Sequence, residues 1–246
     1  MSEINLPAAS GNGHSLLRSA LRPAVVTVLH SPAAAPVLRS ISVAADKIVP
    51  NFRYPSSRPT ATEVLANYAR GMVLFGRSNS RTAPFVWDRF TMRSIITKET
   101  AKIPNSVQRY RRHSELKVRF NENFEEIIHQ CSVGRSEWLT PELISIYLEV
   151  HKLGFTAAVG TYRGDQLVGG LWGLAMGRVV SVYSMFHREN HAGSFAFAAL
   201  TESIANDGHW SVMDCGVPTE HTDRYGATEV SREEFCELLW KSLKHP

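Results

Sequence analysis

The sequence predicts an α+β fold in which helices flank a mixed, mainly antiparallel sheet. Residues 155–186 are typical of three consecutive strands, because apolar and polar residues alternate there between short turns such as R-G-D-Q at 163–166. Apolar residues recur at helical spacing on both sides of these strands, over residues 140–153 and 191–206. A hydrophobic content of 43% in 246 residues is ample for a core between such layers.

The N-terminal 50 residues are rich in Ala, Ser, Pro and Val, and Glu3 and Asp46 are their only acids. This composition predicts a poorly ordered extension over residues 1–50, with an organelle targeting peptide as the alternative. Residues 51–59 carry prolines and turn formers typical of a linker. We therefore expect a small N-terminal α/β subdomain over residues 51–105 and a larger domain over residues 106–246.

The first helix is predicted from residue 60. Thr60 and Glu63 have the spacing of a capping box, and Gly71 is placed to end the helix. Short strands follow at residues 85–87 and 93–96, and residues 106–113 predict a short basic helix.

The larger domain begins with its clearest helix. Thr140 is suited to cap it and Pro141 to occupy its first position. After the three strands and the helix over residues 191–206, a strand is expected at residues 209–215. A last helix over residues 231–243 is capped by Ser231 and Glu234.

Composition limits the function classes. No apolar run approaches the roughly 20 residues that cross a bilayer, so we expect no membrane span. The three cysteines (Cys131, Cys215 and Cys236) are odd in number and lack C-x-x-C spacing, which favours reduced thiols in a cytoplasmic protein. No metal site is expected.

Charge is distributed unevenly along the chain. Residues 89–119 contain nine basic and two acidic residues, whereas residues 120–246 contain nine basic and 17 acidic ones. Such asymmetry favours one surface that meets a polyanion, and an ordinary solvated face is the alternative.

Four segments carry a family resemblance. In order, they are L-V-G-G-L-W-G-L-A at 167–175, S-M-F-H-R-E-N at 184–190, V-M-D-C-G at 212–216 and H-T-D-R-Y-G-A at 221–227. Their order and separations resemble the leucyl/phenylalanyl-tRNA–protein transferases, over roughly residues 60–239. The resemblance implies a GNAT-like domain that moves an amino acid of the Leu/Phe type from aminoacyl-tRNA to the N-terminus of an acceptor protein, a step linked to N-degron protein degradation.

The same resemblance implies the partners. They are an aminoacyl-tRNA and an acceptor protein with a basic N-terminal residue. The protein itself is expected to be a cytoplasmic monomer that does not contact a membrane. No cofactor is implied, because the aminoacyl ester is already activated and the enzyme has mainly to hold both partners in line.

Three positions are implied for catalysis. Asp214 matches a family carboxylate, while Tyr183 and Gly216 stand where the family has a glutamate and a glutamine. The alternative is a repurposed relative that binds RNA or protein N-termini. Neutral imidazoles could substitute for the missing groups, and the candidates are His187, His191 and His221.

Further positions are implied for substrate binding. The aminoacyl pocket would comprise Leu171, Met185, Leu200, Ile204, Met213 and Phe75, although a packed sheet face would show the same apolar pattern. The tRNA contacts would be Trp138, suited to stack on the terminal adenosine, and Arg109, Arg111, Arg112 and Arg188, suited to phosphates. An acyl-CoA transferase is disfavoured, because no glycine-rich loop precedes the helix over residues 191–206.

Overall fold

The computed structural model describes residues 54–56 and 58–244, so the expectation for residues 1–50 lies outside the described part. The chain begins with strand β1 (Tyr54–Ser56), helix α1 (Ala61–Tyr68), strand β2 (Val73–Gly76) and strand β3 (Phe85–Asp88). The three strands form an antiparallel sheet in the order β1-β3-β2. The interpretation of residues 51–59 as a linker is wrong for β1, which pairs with β3 and is an edge strand of the kind that tolerates a proline.

Helix α1 is confirmed with its predicted cap at Thr60, and it ends at Tyr68, three residues before Gly71. The hydroxyl of Thr60 accepts from the backbone N–H of Glu63, whose carboxylate accepts from the backbone N–H of Thr60 at 2.7 Å. Gly71 follows the helix with a φ of +76°, a conformation that glycine adopts without strain.

The remaining elements follow in chain order. They are β4 (Met92–Thr97), α2 (Asn105–Arg112), β5 (Lys117–Phe120), α3 (Phe124–Ser132), α4 (Pro141–Lys152), β6 (Thr156–Arg163), β7 (Gln166–Met176), β8 (Val179–His187), α5 (Ala192–Ala205), β9 (Val212–Asp214), α6 (Glu220–Asp223), β10 (Thr228–Ser231) and α7 (Arg232–Lys244).

Seven strands form the large sheet, in the order β10-β4-β9-β8-β7-β6-β5. Strands β8 and β9 run parallel, and every other neighbouring pair is antiparallel. The predicted α+β class, a mixed and mainly antiparallel sheet flanked by helices, is therefore confirmed. Strand β4 lies within the expected N-terminal subdomain but pairs in this sheet, and the division at residue 105 stays a prediction.

The sheet separates two apolar cores. The first core contains buried residues of α1, α3, α4 and α7, including Tyr68, Tyr147 and Phe235. The second core lies under α5 and α2 and includes Phe197, Leu200 and Val107. Side chains of successive residues along a strand enter these cores alternately.

Strand β8 breaks that alternation at Tyr183. Trp172 of β7 pairs with Ser184 and Gly173 pairs with Val182, so Tyr183 is an extra residue without a partner on β7. This is a β-bulge, and it shifts the facing of the residues beyond it by one position. Val182 and Met185 both pack against the second core, whereas Tyr183 packs against the first.

The described cysteines are all free, and burial raises the pKa of Cys131 to about 12 and that of Cys236 to about 11.

Over residues 54–56 and 58–244, no helix is both long and apolar enough to span a bilayer.

Candidate functional site

Asp214 is the centre of a buried polar network at the end of β9. The guanidinium of Arg93 binds its carboxylate through Nε, at 3.1 Å from Oδ1, and through Nη2 on Oδ2. The hydroxyl of Ser181 and the backbone N–H of Gly216, at 2.9 Å, also donate to the carboxylate. The side chains of Arg93 and Asp214 are 1% and 0% exposed, so this carboxylate lies in the protein interior with its hydrogen-bonding capacity used.

The electrostatics of the network depend on the contact between Arg93 and Asp214. Burial by itself would lower the pKa of Arg93, but the charge and hydrogen bonds of Asp214 raise it on balance. The hydroxyl of Tyr68 lies 2.6 Å from that of Ser181, and burial, with the charge of Asp214, raises the pKa of this phenol. Arg93 therefore remains charged at neutral pH, and Tyr68 remains neutral.

Tyr183 lies next to this network, within an aromatic cluster. Its ring centroid is 5.6 Å from that of Tyr147 and 5.5 Å from that of Trp172, both in edge-on geometry. Burial, reinforced by nearby phenols and by Asp214, raises its pKa well above the ordinary value. Three buried polar atoms in this region have no hydrogen-bond partner among the described residues: Oη of Tyr183, Nη1 of Arg93 and Nε1 of Trp172.

Gly216 has a left-handed conformation with a φ of +74°, and its backbone N–H is the part that acts on Asp214. A Cβ added here would have no heavy atom within 4 Å. The position therefore has room for a side chain, at the cost of backbone strain.

Five of the six predicted pocket residues gather in the second core. Leu171, Leu200, Ile204 and Met213 are buried there, and Met185 packs against them. Met213 precedes Asp214 on β9, so the two side chains point to opposite faces of the sheet. The structure thus places the apolar group on one face and the ionic network on the other.

The sixth pocket residue, Phe75, lies elsewhere, together with Trp138. Their ring centroids are 5.5 Å apart, and Phe75 is also 6.1 Å from Phe90. These rings, with Asp88 and Arg77, line a cavity of about 490 Å³. Phe90 also faces the guanidinium of Arg93, at 5.6 Å, so the cavity adjoins the Asp214 network.

The basic residues predicted to meet phosphate fall into different settings. Arg109 and Arg112 are exposed on α2, whereas Arg111 binds both carboxylate oxygens of Glu202. Arg188 directly follows β8, and its Nε donates to Oε1 of Gln130 at 3.2 Å. The charge asymmetry of residues 89–119 predicts a surface that meets a polyanion, but Arg89 and Arg93 are buried and contribute nothing to such a surface.

The histidines considered as substitutes lie away from Asp214. His191 stacks on Tyr110 with a centroid distance of 4.3 Å, and His187 is exposed. His221 lies between Phe197 and Tyr225, and burial, with the charge of Arg224, lowers its pKa. Within the described residues, no group of three or more His, Cys, Asp or Glu side chains could hold a metal ion.

These features define a class: a mixed α+β domain whose sheet separates an apolar compartment beneath one helix from a buried ionic network, with a basic helix at its side. Residues 95–240 match the family described as leucyl/phenylalanyl-tRNA protein transferase. The chain belongs to this family.

Individual relatives agree with the family match. A leucyl/phenylalanyl-tRNA–protein transferase of Magnetococcus marinus is 32% identical over 171 residues, which cover 66% of this chain and 72% of the relative. That of Maridesulfovibrio salexigens is 35% identical over 189 residues, covering 74% and 77%. Among solved structures, a ribosomal-protein-alanine N-acetyltransferase from Brucella melitensis matches with a TM-score of 0.30 and 14% identity, over 44% of this chain and 84% of that one.

Sequence reasoning missed three members of the network: Arg93, Ser181 and Tyr68. The basic run of residues 89–119 includes Arg93 among the charges expected at a surface, although Arg93 stands in the run M-R-S-I-I, where an arginine between apolar strand residues needs an internal partner. That partner, Asp214, is 121 residues away along the chain, and nothing in the local pattern indicates the pairing.

Proposed function

We propose that this protein transfers an amino acid of the Leu/Phe type from aminoacyl-tRNA to the N-terminal amino group of acceptor proteins. The observation that carries the proposal is the family match over residues 95–240, which contains Asp214 and five of the six pocket residues. In the reaction, the acceptor amine attacks the ester carbonyl carbon, a C–N bond forms and the C–O bond to the tRNA breaks. The amine loses one proton, and the released tRNA hydroxyl gains one.

The second core supports the part of the proposal that concerns the aminoacyl side chain. Its apolar side chains include two methionines, Met185 and Met213, whose unbranched thioethers adapt to ligands of different shape. Discrimination between leucine and phenylalanine in such a site depends on packing. In a hydrophobic pocket, a difference of one methylene group between two substrates is worth about 1–3 kcal/mol.

Asp214 has a positioning role in this proposal. Its oxygens are taken up by Arg93, Ser181 and the Gly216 N–H, so it fixes the chain beyond β9 rather than accepting a proton from the amine. The cavity with Phe75 and Trp138 adjoins the same network and supplies aromatic faces on which a tRNA base can stack.

The finer parts of the proposal concern the partners and the place of action. We propose that acceptors carry a basic N-terminal residue, that the transfer marks them for N-degron degradation and that a monomer is sufficient. A cytoplasmic location fits the substrate, because aminoacyl-tRNA is made and used where translation takes place.

The test is transfer of radiolabelled leucine or phenylalanine from charged tRNA to a protein with an N-terminal Lys or Arg. The same acceptor with a blocked N-terminus is the control for the attacking group. Transfer to the free N-terminus alone is the expected result. If tRNA binds and no label is transferred to any acceptor, the proposed activity is wrong.

A matched pair of variants tests the pocket. Leu200→Ala opens the second core and Leu143→Ala opens the first, and each removes the same buried atoms at a cost of about 2–5 kcal/mol in stability. We expect the ratio of leucine to phenylalanine transfer to change in Leu200→Ala and to stay as in the wild type in Leu143→Ala. An equal change in both ratios would contradict the assignment of the second core as the pocket.

The second candidate function is a repurposed relative that binds RNA or protein N-termini without catalysis. Its supporting observation is Tyr183, whose neutral phenol oxygen is buried in an aromatic cluster at a position where the family resemblance implies a carboxylate. It predicts tRNA binding without transfer in the assay above.

A further inference from the structure

Arg111 and Glu202 form a two-point ion pair between helices α2 and α5. Nη1 of Arg111 donates to Oε1 of Glu202 at 2.6 Å, and Nη2 donates to Oε2 at 2.7 Å. The guanidinium also lies 5.9 Å from the ring centroid of Phe195. This fork geometry satisfies the terminal nitrogens of Arg111 and compensates its charge.

The neighbouring arginines differ from Arg111. Arg109 and Arg112 are exposed, and neither forms an ion pair within the part of the chain that the structure describes. The side chain of Arg111 is only 25% exposed. A phosphate contact by Arg111 would therefore have to break its bonds to Glu202, whereas Arg109 and Arg112 are available without rearrangement.

The pair joins two elements that the substrates would use separately. Residues of α2 and α5, including both partners, line a cavity of about 640 Å³. Leu200 and Ile204 occupy the face of α5 that packs in the second core, and Glu202 lies about 200° around the helix from each of them. The ion pair thus connects the basic helix to the outer face of the pocket helix.

We infer that Arg111 is a positioning residue, which holds α2 in register with α5 so that tRNA bound by Arg109 and Arg112 presents its aminoacyl end to the pocket. The inference rests on the proposed function, and it replaces the assignment of Arg111 to a phosphate. Misplacement by about 1 Å can lower a reaction rate by up to 10²-fold, so the role is visible in catalysis at saturating tRNA.

The first measurement is the salt dependence of tRNA binding. Each phosphate contact contributes about 0.9 to the slope of log affinity against log salt. We expect the slope to fall by about this amount in Arg109→Ala and in Arg112→Ala, and to stay unchanged in Arg111→Ala. A fall in Arg111→Ala as large as that in Arg112→Ala would overturn the inference, and so would a wild type that binds no tRNA.

Two substitutions separate geometry from charge. Arg111→Lys keeps the charge and loses the fork, so a positioning role predicts the same defect as in Arg111→Ala, while a phosphate contact would be largely kept. Glu202→Gln leaves Arg111 uncompensated. A positioning role predicts a slower transfer there, and a phosphate role predicts tighter tRNA binding.

The reversed pair, Arg111→Glu with Glu202→Arg, supplies the rescue. We expect either single reversal to lower kcat at least tenfold with little change in KM for tRNA, and the double reversal to restore most of the rate. Failure of the rescue in a variant that melts like the wild type would overturn the inference. If the wild type binds tRNA without transfer, only the proposed function fails. The role of Arg111 can then still be decided from the salt slopes and from tRNA binding by Arg111→Lys and Glu202→Gln.

Discussion

Replacing Arg93 by methionine is expected to destabilise the protein strongly, because it leaves the carboxylate of Asp214 buried without its counterion. Removal of one partner of a buried ion pair costs about 3–5 kcal/mol. Asp214 keeps the hydroxyl of Ser181 and the N–H of Gly216, so we place Arg93→Met at the lower end, about 3 kcal/mol. For a chain of this size, that corresponds to a fall in melting temperature of about 6–12 °C.

The assay is urea denaturation together with thermal melting of four variants. Arg93→Met should lower the free energy of unfolding by about 3 kcal/mol, and the double variant Arg93→Met/Asp214→Leu should recover most of the loss, because no charge is then left unpaired. Arg58→Met and Glu149→Gln are the controls: this exposed pair, with a 2.7 Å contact, should cost less than about 1 kcal/mol to break. The reasoning is refuted if Arg93→Met costs no more than the controls, or if the double variant is less stable than Arg93→Met.

Three further predictions concern single positions. In Gly173→Ala, the added Cβ would overlap the backbone carbonyl oxygen of Ser181, so the free energy of unfolding measured in urea should fall by at least the roughly 1–3 kcal/mol usual for overpacking. Burial lowers the pKa of His221 in the folded protein, so the unfolded chain, in which this pKa is about 6.5, binds the proton more readily. Stability should therefore fall as the pH drops through this region. Melting temperatures measured over a range of pH should show a less steep fall in His221→Asn than in the wild type. If the scaffold is otherwise that of an active transferase, Tyr183→Glu with Gly216→Gln should raise the rate of aminoacyl transfer. A glutamine at the left-handed φ of residue 216 should also lower the free energy of unfolding by about 1–2 kcal/mol. An unchanged or lower rate in a folded double variant would show that these positions do not limit activity.

Local signals were sufficient for most of the secondary structure. The capping box of Thr60 and Glu63 and the Thr140-Pro141 start depend on residues three or fewer apart, and each predicted helix is present. The strands from β6 to β8 were predicted from alternation and turns. Helix α3 and strand β5 are not among the predicted elements, because no side chain caps the start of α3 and β5 carries charges at alternate positions.

The pairing of strands could not be predicted in the same way. Strand β9 joins β4 and β8, which lie before it by more than 100 and about 30 residues, and no local pattern fixes such a contact. The strand predicted over residues 209–215 is shorter in the structure, where it spans Val212–Asp214.

The candidate site shows the same division. Five of the six pocket residues implied by the family resemblance lie together in the second core, whereas Phe75 lies with Trp138. The partner of Asp214 and the partner of Arg111 were missed, because an ion pair across 121 or 91 residues depends on the tertiary fold.

Strand β8, with its extra residue at Tyr183, contributes side chains to both apolar cores, and the two sets of side chains can vary independently. Upstream of the bulge, Ser181 holds Asp214, and downstream of it Met185 packs against the apolar side chains beneath α5. A change of residue 183 therefore alters the aromatic face without altering the shape of the opposite face. Deleting that one residue would leave Ser184 to His187 opposite their present partners on β7, because Val182 and Ser184 already pair with the adjacent residues Gly173 and Trp172. In a deletion scan along β8, we therefore expect the register to survive a deletion of Tyr183, whereas a deletion of a paired residue would shift the side chains beyond it to the opposite face.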